Sequence, residues 1–250
     1  MAACSDFFVG PNSKILDFGC GDGKNVYDWR DEGFDAYGFE LHDTLELRSK
    51  EDRRFFQISE TPFTKENTAD TRFDPANFRL PYEDGIFDLV ISSTVIEHVQ
   101  GHGAVFAELS RVMKPSSIGF HTFPAMFTFI EPHIYVPFGS LFKSYWYFWL
   151  WARLGIRNEK QKLQSANEVA EANRRYAKTG LSYKLPSEMI RLASPYFTEI
   201  KYAPEFWEFP SKKYEWMIAS RLYKLYYDHF KFAVLKTIKL PRMETGDGQS

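Results

Sequence analysis

The chain has 250 residues, 44% apolar and 26% charged, with a formal net charge of −2. This composition supplies a sizeable core and excludes global disorder. Only two cysteines, Cys4 and Cys20, exclude a disulfide-rich scaffold and a multi-cysteine metal centre and point to a reducing compartment.

The small net charge hides an asymmetry. Residues 1–140 carry 12 Lys/Arg against 22 Asp/Glu, whereas residues 141–185 carry 9 against 3. An acidic body with one basic segment argues against nucleic acid as a partner. It leaves anionic substrates and an anionic membrane surface open. No basic n-region followed by an apolar run opens the sequence, so no signal peptide is expected and the expected location is cytoplasmic.

In chain order, residues 14–18 read as a strand that ends in the cluster Gly19-Cys20-Gly21-Asp22-Gly23. A helix to about Glu32 follows and stops near Gly33. Residues 34–39 read as a second strand with Glu40 at its end. Asp43 is placed to N-cap a helix reaching about Lys50, and residues 53–58 give a third strand. Residues 59–85, punctuated by Pro62, Pro75 and Pro81, look irregular. Residues 86–92 are the clearest strand, near-continuously apolar as a strand buried on both faces should be. A helix over residues 103–113 is expected to end at Pro115, with a strand over residues 118–123 beyond it. Strand, helix, strand at this rhythm means βαβ units and a parallel sheet.

Residues 124–185 break the rhythm and read as an insertion, with a polar helix over about residues 160–178 stopping at Gly180. Its densest apolar stretch, residues 145–152, lies between Lys143 and Arg153. As a helix that stretch reaches only ~14 Å, against a hydrocarbon core of ~30 Å, so it spans no membrane. Residues 186–194 read as a helix with Pro186 in the first turn, 197–202 as a strand, 211–229 as helical and 230–238 as a closing strand. The expected fold is α/β, a Rossmann-like, mostly parallel sheet of about seven strands with helices on both faces. The expected organisation is a core over 1–123, an aromatic helical lid over 124–185, completion of the sheet over 186–243 and a tail over 244–250.

The strongest chemical signal is Ile15-Leu16-Asp17-Phe18-Gly19-Cys20-Gly21-Asp22-Gly23-Lys24-Asn25: a strand, a glycine turn and a helix start. Glycines let backbone approach a ligand without Cβ collision, and helix-start N–H groups can hold an anionic group. Glu40, at the end of the next strand, is placed to accept ribose hydroxyls. A dinucleotide fingerprint wants G-x-G-x-x-G. Here the spacing is G-x-G-x-G, and Asp17 lies two residues before the first glycine. A carboxylate there suits a ligand with an ammonium group and no pyrophosphate, S-adenosylmethionine rather than NAD.

The segment resembles the first motif of the class I, Rossmann-like S-adenosylmethionine-dependent methyltransferases. Further pieces follow in the family's order. They are Tyr37-Gly38-Phe39-Glu40, Leu80-Pro81-Tyr82-Glu83-Asp84-Gly85-Ile86-Phe87-Asp88, Val95-Ile96-Glu97-His98-Val99 and Leu109-Ser110-Arg111-Val112-Met113-Lys114-Pro115. The resemblance implies that Asp17, Gly19 and Gly21 line the methionine end of the cofactor; Cys20, between the two glycines, is placed with the cofactor-binding residues, its bland reading being a small buried packing residue. It implies that Glu40 binds the ribose, Leu41 packs beside the adenine, and Asn77-Phe78 lies where the family contacts the adenine amine.

Methyl transfer to a hydroxyl also needs a general base, usually His or a carboxylate. His98 follows the fourth strand and is the first candidate; the bland alternative is that Glu97 and His98 tie the turn together. Glu131 and His133, in the loop after the fifth strand, are the next candidates. His121 reads as packing and His102 as solvated. No metal site is expected, because the His and acidic residues show no tight ligand spacing. The acceptor is expected to be a small molecule or saccharide-like, such as a glycan precursor. The aromatic run of the insertion is read as core, as a substrate wall or as a peripheral membrane contact. Two other classes stay open: a nicotinamide-dependent oxidoreductase, disfavoured by the glycine spacing, and a non-catalytic binding or scaffold protein. Oligomeric state is not legible.

Overall fold

The computed structural model describes residues 10–41, 44–58, 78–202 and 232–239. Seven strands form one sheet in the order β3-β2-β1-β4-β5-β7-β6. They are β1 (Lys14–Phe18), β2 (Asp35–Glu40), β3 (Phe56–Ile58), β4 (Phe87–Ser93), β5 (Met113–Pro124), β6 (Glu199–Tyr202) and β7 (Phe232–Lys239). The pairs from β3 through β5 are parallel, and β7 runs antiparallel to both β5 and β6.

Side chains alternate across the sheet, as the pleat requires. Leu16, Phe18 and Val90 join the core formed with α2 (His102–Val112) and α5 (Pro186–Ala193) on one face. Ile15, Leu89 and Ile91 join Val26, Tyr27 and Trp29 of α1 (Lys24–Asp31) on the other. Both faces of β1 and β4 are therefore covered, which is why their sequences read as nearly unbroken apolar runs.

Several expectations shift. Residues 44–49 form no helix. Thr44 donates its hydroxyl to the Gly21 carbonyl, and the Glu46 N–H donates to the Asp22 carbonyl. The backbone is thus tied to the glycine turn, and only a 3-10 turn, Lys50–Phe55, follows, opened by a Ser49/Asp52 capping box. Asp43 and residues 59–77, 203–231 and 240–250 lie outside the described residues, including the helix expected over 211–229. α2 ends before Pro115: Met113 already has extended backbone and starts β5. Pro115 sits inside that strand, where the register against β4 slips between Phe87 and Leu89. Proline cannot donate to the ladder and is tolerated at such irregularities.

Between β5 and α5 lie α3 (Tyr145–Arg153) and α4 (Ala166–Thr179). α4 starts six residues later than periodicity predicts, because Ser165 and Glu168 form a capping box there. Phe148 of α3 and Ala170 and Ala177 of α4 form a third core with Ile134 and Val136. No helix among the described residues is long and apolar enough to cross a membrane.

The order of the strands fixes the place of a ligand. From β1 the chain moves outward through β2 and β3, then returns to lay β4 on the other side of β1. Such a switch point opens a crevice at the carboxyl ends of the two central strands.

Candidate active site

That crevice is a cavity of about 470 Å³ lined by Phe18, Gly19, Gly21, Phe39, Glu40, Leu41, Phe78, Thr94, Val95 and His98, with Tyr176, Thr179 and Gly180 from α4 and its cap. Its size suits a small-molecule ligand. Gly19 has φ +81°, and a Cβ there would meet a Val95 methyl at 2.2 Å. Gly21 has φ +57° with open space beside it, so a ligand can approach its backbone.

Most N–H groups of the turn are already engaged. Those of Gly19 and Cys20 donate to the Phe39 carbonyl, that of Gly23 to the Cys20 carbonyl, and that of Lys24 to Asp22. The helix start therefore offers less to an anion than the sequence implied, and the polar anchors are side chains. Glu40 accepts from the Gly21 N–H at 2.9 Å and the Leu41 N–H at 2.7 Å. These bonds aim its carboxylate at the cavity wall. Asp17 is 1% exposed, and its one side-chain partner is the Asn25 amide at 3.2 Å. Burial pushes its pKa up to about 7; the Asn25 bond opposes this, while the charges of Glu40 and Asp22 add to it.

The aromatic wall is a trio. Phe18 and Phe39 stack at 5.7 Å between centroids, and Phe78 meets both edge-on at 6.4 and 6.2 Å. Cys20 does not reach the cavity. Its thiol packs under Gly38, where an added Cβ would stand 2.6 Å from the sulfur, and burial raises its pKa well above the usual thiol range. Asn77 lies outside the described residues.

Beside the turn after β4 the structure brings His98, Glu131 and His133 together. His98 closes a 3-10 turn, Ile96–His98, directly after β4. Its Nδ1–H donates to the Gly180 carbonyl at 2.7 Å, so in the neutral ring Nε2 carries the lone pair. Burial lowers its pKa, the Gly180 bond opposes this, and the charge of His133 lowers it further. His133 stands edge-on to His98, 4.9 Å between centroids, and bonds through Nδ1 to Glu131 at 2.7 Å. Glu131 is fully buried and also accepts from the N–H groups of His133 and Ile134 and from the Tyr183 hydroxyl. Burial opposes charge on both partners, but the mutual hydrogen bond and attraction prevail, so His133 is raised and Glu131 lowered from their ordinary pKa values.

Sequence reasoning missed Tyr176, Gly180 and Tyr183, which approach only when α4 folds back over the turn after β4. It also gave Glu97 no more than a tie in the turn. Glu97 is 1% exposed, and burial pushes its pKa up to about 7. His121 is buried against Ser92 as expected of packing. His102, expected in solvent, is buried and donates from Nε2 to the Ile96 carbonyl.

A family described as a methyltransferase domain matches residues 16–120. Phosphoethanolamine N-methyltransferase 2 of Haemonchus contortus, in complex with S-adenosyl-L-methionine, is similar in structure. The identity is 14% and the TM-score 0.53, with 96% of this chain and 51% of that chain covered. The same enzyme with phosphomonomethylethanolamine and S-adenosylhomocysteine gives a TM-score of 0.54 at 14% identity, covering 96% of this chain and 52% of that one. A SAM-dependent methyltransferase of Archaeoglobus fulgidus gives 0.50 at 15% identity, covering 94% and 89%. At such identities the likeness bears on the fold. The chain spans about half the length of the two Haemonchus contortus chains. No curated protein matches in sequence. The matched segment runs from β1 into β5 and holds the glycine turn, the acid that ends β2 and the cleft between β1 and β4, so that this part of the chain, somewhat under half of it, is similar to the methyltransferase domain family.

Proposed function

We propose that the chain binds S-adenosylmethionine in the β1/β4 cleft and methylates an oxygen of a small-molecule or saccharide-like acceptor, with His98 as the general base. The residues fit the cofactor. Asp17 is a buried carboxyl that meets no cation among the described residues, and an ammonium group would complete it. Glu40, fixed by two N–H bonds, has lone pairs left for ribose hydroxyls, and Phe78 and Leu41 offer an apolar slot for a purine. When bound, S-adenosylmethionine supplies a methyl group on an activated sulfonium, so positioning carries much of the acceleration.

The observation that carries the base assignment is the tautomer of His98. With Nδ1–H committed to Gly180, Nε2 can take a proton from an acceptor hydroxyl in the cleft. His133 stands behind the lining residues His98 and Tyr176, and the Tyr183 and Glu131 bonds keep its ring in place. Titration calorimetry should show S-adenosylmethionine and S-adenosylhomocysteine binding and NAD not binding, with Glu40→Ala weakening both ligands by about 10-fold or more for the lost hydrogen bonds. His98→Ala should keep cofactor binding and lose about 10²-fold or more in turnover of a hydroxyl acceptor. Silence for all three ligands would favour the scaffold reading instead.

A membrane-facing role of the insertion has its own support. Trp146, Leu150 and Leu154 are 71, 50 and 64% exposed and recur every four residues, one stripe along α3. Arg153 lies beside them, over the Trp149 ring. A peripheral contact of this kind would suit a lipid-linked acceptor. Sedimentation with anionic vesicles at low salt should carry the protein down, and a Trp146→Ser/Leu150→Ser double variant should stay in the supernatant. No binding by the unaltered chain would sink the idea.

A further inference from the structure

Glu97, His98 and His133 each offer one ligand atom, and these atoms lie within 4.8 Å of one another. Among the described residues neither carboxylate oxygen of Glu97 has a hydrogen-bond partner, although the residue is 1% exposed. An orphaned buried carboxyl is costly, and native structures explain such groups by an ion, a water or a chemical role. The two imidazoles beside it are oriented as metal ligands are. His98 gives its Nδ1–H to a backbone carbonyl, and His133 is held through Nδ1 by Glu131, itself held by Tyr183. Such outer partners fix the ring and the tautomer and leave the Nε2 lone pair for an ion. The Nε2 of His98 stands 3.9 Å from Glu97 Oε1.

We propose that Glu97, His98 and His133 bind one divalent transition-metal ion of the zinc class at the acceptor end of the cleft. Two imidazoles and one carboxylate favour such an ion over magnesium or calcium, which prefer all-oxygen sets. Bonds of ~2.1 Å separate tetrahedral ligand atoms by ~3.4 Å, so the three side chains need draw in by only on the order of 1 Å. His98 and Tyr176 line the cavity, which puts the remaining coordination position on the cleft side. The site stands on its own; only its use in acidifying an acceptor hydroxyl rests on the methyl-transfer reading. With the ion in place His98 Nε2 is a ligand, and the ion does the work assigned above to the free base.

The test is a titration of the untagged, chelator-stripped chain with Co²⁺, read by its visible d–d absorption, followed by Zn²⁺ competition. Neither cofactor nor acceptor is present. One equivalent should give the intense band of a four- or five-coordinate site, bleached by one equivalent of Zn²⁺. Glu97→Gln, nearly isosteric, should weaken binding about 10-fold or more, and Tyr183→Phe should weaken it through the outer shell, up to about 10-fold. A spectrum that stays that of aqueous Co²⁺, or variants that bind as the unaltered chain does, would overturn the site. Cofactor calorimetry on the same preparation keeps this outcome separate from any failure of the methyl-transfer reading.

Discussion

Glu131→Ala should destabilise the protein by about 3–5 kcal/mol, the cost of removing one partner from a buried, paired charge. The carboxylate is fully buried and receives the His133 ring N–H, the His133 and Ile134 backbone N–H groups and the Tyr183 hydroxyl. Alanine leaves all four donors facing a cavity. An exposed ion pair of similar length would contribute ~0–1 kcal/mol. Glu131→Gln keeps one carbonyl acceptor and should lose less than half as much. Denaturant unfolding measures both, and an alanine variant within ~1 kcal/mol of the unaltered chain would mean that the loop 131–137 is held by its apolar contacts alone.

On the proposed assignment of Asp17 to the cofactor's ammonium group, cofactor affinity should fall about tenfold for each pH unit below about 7, because the carboxyl must first lose its proton. Burial sets that threshold: the carboxyl is pushed up to about 7 with only the Asn25 amide opposing. The sign for stability is opposite. The folded chain keeps a proton that the unfolded chain sheds near pH 4, so the ligand-free protein loses this contribution as pH rises from about 4 to about 7. Asp17→Asn should abolish the pH slope and weaken S-adenosylmethionine by about 10–100-fold at pH 8, the range for a charge-assisted hydrogen bond. Calorimetry across pH 5.5–8.5 on both chains decides it, and an unchanged slope in Asp17→Asn would assign the proton to another group.

The proposed cofactor half of the site could be named from the sequence because it is local. Asp17, Gly19, Gly21 and Glu40 lie on two adjacent strands and their ends, where spacing alone fixes neighbourhood. The proposed acceptor half is not local. His98 meets Gly180, and Tyr183 meets Glu131, across 82 and 52 residues of chain, and no periodicity encodes that approach. The missing helix before Ser49 fails for the same reason. Thr44 and Glu46 are claimed by the glycine turn, and the Arg48 N–H by the Tyr27 hydroxyl. The aromatic run divided as its helical spacing dictates, Phe148 inward and Trp146 outward. The mostly parallel sheet was legible from the βαβ rhythm; the antiparallel placement of β7 was not, because strand order depends on the path between elements.

That placement bears on how the chain is made. β7 lies between β5 and β6, with Ser117 opposite Lys239 and Tyr202 opposite Leu235. During synthesis β1 through β5 can assemble as soon as they emerge, but β6 has no strand to join until residue 239 has left the ribosome. Until then β5 presents an open edge, a template for the strands of other chains. The last pairing joins residues far apart in the chain, such as Ser117 and Lys239, and contacts of such sequence separation form slowly. A nascent chain stalled before β7 would carry a nearly complete cofactor cleft on a sheet still prone to aggregate.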